Sequence, residues 1–222
     1  MRRWAVVRAL VAAAMVAAPV VLASQATPLE ALVERVQARY QSMHDLRSRF
    51  WQSTTPRRGV PPTLAEGDWL IQTPGKLRVE YDETDRLFVA DGERMYWYLP
   101  EDNQVQVLGA DAIDPRFTPT MYLASEGDLR DDFTISGVEW DDPLSPGNIQ
   151  IRLEPRSQDV RFQYLVIEVQ QGSALIERFV SVGLLGEITE YRFQDIETDV
   201  GLDDDLFHFE IPADAQIEYL GR

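Results

Sequence analysis

The chain contains no cysteine. That absence removes disulfide staples, cysteine nucleophiles, thiolate metal sites and the lipid-modified cysteine that tethers a mature bacterial lipoprotein. Histidine is almost as scarce. His44 and His208 are the only two, and neither stands in an HExxH or comparable spacing, so each reads as a structural or surface residue. No G-x-S-x-G elbow, P-loop or dinucleotide fingerprint occurs. The acidic runs Asp131-Asp132, Asp141-Asp142 and Asp203-Asp204-Asp205 lack the D-x-D-x-D-G calcium loop and read as solvated turns and caps. A carboxylate pair for glycoside hydrolysis depends on distance in space, and nothing in the sequence points to one. We therefore expect a non-enzyme, without cofactor or metal.

Basic charge is short as well: 21 lysines and arginines face 37 carboxylates, for a net charge of −16. Arg2, Arg3 and Arg8 form a basic start, Ala9 to Val21 is apolar, and Val21-Leu22-Ala23 is a small-residue cleavage pattern. Residues 1–23 are expected to be a secretory signal peptide that is removed. The alternative is a membrane anchor, but the apolar run is short and Pro19 interrupts it. Arg2-Arg3 lacks the rest of a twin-arginine motif, which favours Sec export. Loss of three basic residues leaves −19 on residues 24–222. Such a chain is a poor ligand for nucleic acid or an anionic membrane surface. No repeat, low-complexity tract or linker divides residues 24–222, so one domain is expected, in a soluble, untethered, monomeric protein of periplasmic type.

What the chain does have is a dense run of strands. From Pro28 to Met43, Leu29, Leu32, Val33, Val36, Tyr40 and Met43 recur at spacings of three and four. This predicts one amphipathic helix with Thr27 as N-cap, Pro28 first and Glu30 closing a capping box. Its role is to cover a core. Leu46, Ser48 and Phe50 alternate with Arg47, Arg49 and Trp51 as a strand, and the proline-rich stretch from Pro56 to Pro62 is a loop.

Glu66 to Leu108 then reads as five short strands: Gly67 to Ile71, Lys76 to Tyr81, Leu87 to Ala90, Arg94 to Leu99 and Gln104 to Leu108. Only the second alternates cleanly. The others carry large apolar residues on both faces, so this sheet must cover something on one side and be partly covered on the other. Pro119 to Ser125 is expected to form a short helix presenting Met121, Tyr122 and Leu123, which is stable only on an apolar seat. Strands are predicted again over Phe133–Trp140, Ile149–Leu153, Tyr164–Gln170, Leu175–Val182 and Glu187–Ile196. An acidic helical turn at Asp203 to Asp205 follows, and then a short strand ending near Pro212. Apolar surface in excess of one sheet face, in an exported chain without catalytic motifs, favours a carrier or receptor for something hydrophobic. The plainer alternative is that every aromatic fills an ordinary core.

Several stretches resemble the LolA family of outer-membrane lipoprotein carriers. They are Glu66-Gly67-Asp68-Trp69, Pro74 through Tyr81, Ala90-Asp91-Gly92, Tyr96-Trp97-Tyr98, Gln104-Val105, Thr118-Pro119, Leu153 through Arg156, and Phe207-His208-Phe209 through Pro212. Together they span nearly all of residues 28–220 in the family's order. The resemblance implies a mainly β fold with a few helices, an incomplete and strongly curved antiparallel β-barrel (a half-barrel) with a helical lid. It implies a cavity for the acyl chains of triacylated or diacylated lipoproteins, taken from the inner-membrane LolCDE transporter and passed to the outer-membrane receptor LolB. By the same resemblance Trp69, Ile71, Leu77 and Val79 line the cavity, with Tyr81, Tyr96, Tyr98 and the lid residues Met121 and Leu123 as further binding residues. Leu77 falls where the family has a rim phenylalanine important in accepting cargo. One departure stands out. Where well-known members carry an arginine that hydrogen-bonds the lid backbone, this chain has Thr73, which implies a weaker latch or one supplied elsewhere. Arg78 is the nearest substitute, but alternation sets it opposite Leu77 and Val79. A second reading on the same half-barrel is a periplasmic lipid-binding sensor similar to RseB, which usually carries an added domain. A third, an enzyme on a lipid-like substrate, lacks its nucleophile motif.

Overall fold

A computed structural model describes residues 27–57, 59–109, 127–138, 143–157 and 162–220. Helix α1 (Pro28–Ser42) starts as the sequence predicts. The Thr27 side chain accepts from the Glu30 N–H and the Glu30 carboxylate accepts from the Thr27 N–H, with Pro28 at the first helical position. Burial of Leu32, Val33, Val36 and Tyr40 marks the face that α1 turns inward.

The strands are β1 (Asp45–Thr55), β2 (Thr63–Gln72), β3 (Lys76–Tyr81), β4 (Leu87–Asp91), β5 (Arg94–Leu99), β6 (Gln104–Gly109), β7 (Phe133–Val138), β8 (Ile149–Pro155), β9 (Phe162–Val169), β10 (Ile176–Gly183), β11 (Ile188–Thr198) and β12 (Gln216–Leu220). All belong to one sheet in the order β12-β6-β5-β4-β3-β2-β1-β11-β10-β9-β8-β7. Neighbours pair antiparallel except β12, which lies parallel to β6. Among the described residues β12 and β7 end the sheet without a further partner, so the sheet is open, and the fold is the mainly β incomplete barrel expected. The lid helix expected over Pro119 to Ser125 lies outside the described residues, as do Met121 and Leu123.

Register fixes which face each side chain takes. Trp69 pairs with Ser48 and Val79, Ile71 with Leu46 and Leu77, and Phe50 with Gly67 and Phe193. These residues share the inner face with Ile167 and Phe179 and, together with α1, form the main core. Leu70, Val89, Val105 and Val107 are buried outside that cluster, on the opposite face. There the 3-10 turn Asp204–Phe207 lies against β3 and β4 and buries Phe207. Arg78 Nη1 donates to Leu206 O at 2.9 Å, and Gln72 Nε2 donates to Leu202 O at 3.3 Å. So the two-faced strands of the first meander are covered on both sides.

Two expectations need correction. No strand runs through Phe207 to Pro212; the terminal strand is β12, beginning only at Gln216. Its residues are almost all exposed, so it carries no burial alternation, and the pairing with β6 alone makes it a strand. Strand β1 also extends to Thr55, well past Trp51, because both β2 and β11 pair along it.

Gly67 shows why one position in this wall tolerates no side chain. A Cβ there would lie 1.8 Å from Glu80 O and 2.8 Å from Phe50 Cε1, so the Glu80 backbone carbonyl, with the Phe50 ring beside it, occupies the space a side chain would need. Gly67→Ala is expected to lower the unfolding free energy by about 3 kcal/mol or more, read from the urea midpoint of purified protein; a loss within ~0.5 kcal/mol would contradict this packing.

On the outer face Glu168 is fully buried beside Arg178, which pairs with it. Burial raises its pKa, but hydrogen bonds from Asn148 Nδ2, the Arg178 guanidinium, Gln150 Nε2 and the Leu144 N–H outweigh that, and the carboxyl sits below its ordinary value of 4.5. A depressed carboxyl contributes stability in full above the unfolded value and loses it as pH falls through the folded one. Acid titration of Glu168→Gln by circular dichroism is therefore expected to show a shallower loss of stability below pH 4.5 than the parent chain.

Candidate functional site

The inner face of the sheet carries a continuous bed of aromatic rings. Phe50 meets Trp69 edge-on at 5.8 Å and Tyr81 at 5.3 Å. Trp69 in turn meets Tyr191 at 5.6 Å and Phe193 at 5.3 Å. Phe179 and Tyr191 are stacked at 5.9 Å, which carries the bed onto β10. Edge-to-face contacts of this kind add modestly to the burial that dominates aromatic packing. Ile71, Leu77 and Val79 continue the same surface, at 0–3% exposure. Beyond them Phe88 and Trp97, paired edge-on at 5.8 Å, are only half-buried, so cover thins toward β5.

Helix α1 packs into the same core on this side of the sheet, and it is held at several points. Tyr40 Oη accepts from the Ile176 N–H at 3.1 Å. Buried Gln37 donates to Gly127 O at 2.7 Å and accepts from the Leu129 N–H at 3.2 Å, which ties the start of the short helix Leu129–Asp132 to α1. At the C-terminal end, Thr73 Oγ1 donates toward Met43 O at 2.7 Å and His44 O at 3.1 Å, while its backbone N–H donates to His44 O at 2.8 Å. Just beyond, the buried Asp45 carboxylate accepts three backbone N–H groups, from Val200, Gly201 and Leu202, at 2.7–3.0 Å. The α1–β1 junction is thereby fixed to the β2–β3 turn and to the segment after β11.

Chemically the bed is inert. Among the described residues the buried charged side chains lie elsewhere: Asp45 binds the backbone after β11, and Glu168 and Arg178 pair on the outer face. Burial pushes the Tyr191 hydroxyl well above the usual range, and burial likewise raises Tyr81, whose hydroxyl is hydrogen-bonded to that of Tyr191. Both stay neutral phenols. Among the described residues no group of three or more metal-ligating side chains is assembled.

Of the residues singled out from the sequence, Trp69, Ile71, Leu77 and Val79 come together on this face, with half-buried Tyr81 at its margin. Tyr96 and Tyr98 do not. The β4–β5 register puts Met95 and Trp97 inward, so both tyrosines face outward and pack on Phe209 at 5.5 and 5.9 Å. Thr73 bonds the end of α1, and Arg78 faces outward as its parity required. Phe50, Phe179, Tyr191 and Phe193 were not singled out. Their period-two spacing is legible, but their place beside Trp69 depends on β1 pairing with β11, which no local pattern specifies.

The described residues thus form an open sheet whose aromatic inner face shares one core with an amphipathic helix. A family model described as "Outer membrane lipoprotein carrier protein LolA" matches residues 41–210, and the chain belongs to that family. A curated outer-membrane lipoprotein carrier protein of Methylococcus capsulatus is 28% identical over 194 residues, covering 82% of this chain and 85% of that protein. One of the same name from Dechloromonas aromatica is 31% identical over 175 residues, covering 78% and 80%. Among solved structures, an uncharacterized conserved protein from Thermus thermophilus superposes with a TM-score of 0.53 over 86% of this chain and 98% of its own. At 14% identity that likeness concerns the fold alone.

Removing the Thr73 hydroxyl while keeping its shape isolates the tie at the end of α1. Thr73→Val is expected to lower the unfolding free energy by about 1 kcal/mol. Amide exchange should accelerate at the C-terminal turn of α1 more than in β9 or β10; uniform acceleration would show that the hydroxyl does not hold the helix end.

Proposed function

We propose that this chain is a periplasmic carrier that shelters the acyl chains of lipoproteins, accepting them from the inner-membrane LolCDE transporter and delivering them to the outer-membrane receptor LolB. The observation that carries this reading is the uncharged inner face formed by Phe50, Trp69, Ile71, Leu77, Val79 and Phe193 beneath α1. Membership of the lipoprotein-carrier family supports it. The proposal includes an export leader over residues 1–23, a single carrier domain over residues 24–222 and a role without catalysis. It also includes a lid contribution from Met121 and Leu123.

The physical demand on such a carrier is clear. Acyl chains left in water lose about 25 cal/mol per Å² of apolar surface, so they must be enclosed along their length. They must also be released, so the cover has to exchange between packing on the empty bed and standing off a filled one. The described helix candidate for that exchange is α1, held by individual hydrogen bonds and ion pairs and without a covalent tie. Neutral Tyr81 and Tyr191 leave the enclosure free of charge at any pH of the periplasm.

Purified protein added to spheroplasts is expected to bring newly made lipoprotein into the supernatant as a soluble one-to-one complex, and to yield it to membranes that contain LolB. Lipoprotein that stays entirely in the spheroplast pellet, with folded carrier in the supernatant, would overturn the reading.

A further inference from the structure

A buried polar atom without a partner has given up its hydrogen bond to water for nothing, which is why such atoms are few. Among the described residues four buried side-chain atoms stand this way: Ser48 Oγ, Gln52 Oε1, Trp69 Nε1 and Gln72 Oε1. The two glutamines are half satisfied, because their amide nitrogens donate to Thr54 Oγ1 and to Leu202 O. The other two are different. An indole nitrogen has one proton and no other polar role, and a hydroxyl without a partner leaves its proton unused as well.

These two donors are neighbours. Ser48 and Trp69 are direct partners in the β1–β2 register, so their side chains leave the sheet side by side on the inner face. They are 1% and 2% exposed. The rings around Trp69 are those of Phe50, Tyr191 and Phe193, and the Tyr191 hydroxyl is already engaged with Tyr81. A bed that had only to pack needs neither proton, and apolar side chains at these two places would leave none orphaned. Local rules broken in this way mark a functional position more often than a structural one.

We propose that Trp69 Nε1 and Ser48 Oγ are hydrogen-bond donors of the cargo site, and that they bind an ester or amide carbonyl at the head of a cargo acyl chain. This rests on the carrier reading and deepens it. An acyl chain joined to a glyceryl or amino group begins at a carbonyl, which accepts and cannot donate, so it needs donors if it is buried with its chain. The pair supplies them at one spot on an otherwise apolar bed. Hydrophobic burial has no direction and lets a chain slide, whereas a hydrogen bond at the carbonyl sets how deep the chain sits. The empty carrier holds both protons unsatisfied and the loaded one satisfies them, which shifts the balance toward the loaded form.

Two probes of equal chain length separate this from packing: a dipalmitoyl-S-glyceryl-cysteinyl peptide, and its dihexadecyl ether counterpart, which lacks both ester carbonyls. With the full chain, Ser48→Ala and Trp69→Phe are each expected to weaken binding of the ester about five- to tenfold and to leave the ether unchanged. Ligand-free Tm of Ser48→Ala should hold or rise, since an unsatisfied donor has been removed, whereas Trp69→Phe leaves a void and lowers Tm, so for that variant the ratio of ester to ether affinity alone is decisive. Equal ester affinity in the parent and both variants overturns the assignment. So does an equal loss for both probes with a lowered Tm, which marks a packing role. If the parent chain binds neither probe, the carrier reading itself fails and takes this one with it.

Discussion

A curved sheet with large apolar side chains on both faces cannot stand in water, and the remaining elements answer that constraint. Phe50, Trp69, Leu77 and Val79 need cover on the inner side, and α1 supplies it. Leu70, Val89, Val105 and Val107 need cover on the outer side, where the turn Asp204–Phe207 lies over β3 and β4. The two covers differ in kind. The outer one is stitched down by backbone bonds to Asp45, by Arg78 and by Lys76 paired with Asp204. The inner one is a helix that shares the sheet's apolar core and is held by side chains along its length, Gln37 and Tyr40 among them.

Most of the wall was legible in the sequence, for a physical reason. Strands β3 and β5 have the bounds expected, because tight turns at Pro74-Gly75 and Asp91-Gly92 mark where each begins. Helix α1 was legible from Thr27, Pro28 and Glu30, a start signal that depends only on neighbours in the chain. What could not be read was anything set by distant pairing. Arg94 to Leu99 offers Met95, Tyr96, Trp97 and Tyr98 in a row, and only the partners Ala90 and Phe88 decide that Met95 and Trp97 turn inward. Likewise nothing local to Gln216–Leu220 announces a strand, since its ladder is made with β6.

Thr73 is the instructive intermediate case. Its difference from the family arginine is visible in the sequence, and the expectation is a weaker latch or one supplied elsewhere. The structure gives its hydroxyl two backbone carbonyls at the end of α1, Met43 O and His44 O. One proton shared between two acceptors and lacking charge is a modest bond. It is also a short one in reach, so it holds the helix end only while that end sits directly on the turn.

The place of β1 in the sheet has a consequence for how the chain comes to be folded. Strands β1 to β6 form one run of neighbours and β7 to β11 another, and the two runs meet only where β1 lies against β11. In order of synthesis the first run is complete before any residue of the second exists, yet its β1 edge has no partner until β11 is made. Leu46 waits for Thr198. Joining residues so far apart is the slow, entropically costly step in assembling such a sheet. Until then the newborn chain carries an open backbone edge along the middle of its future wall, the kind of edge that pairs with strangers. A protein read here as a keeper of other chains' apolar surface thus passes through a stage in which its own central seam is the exposed part.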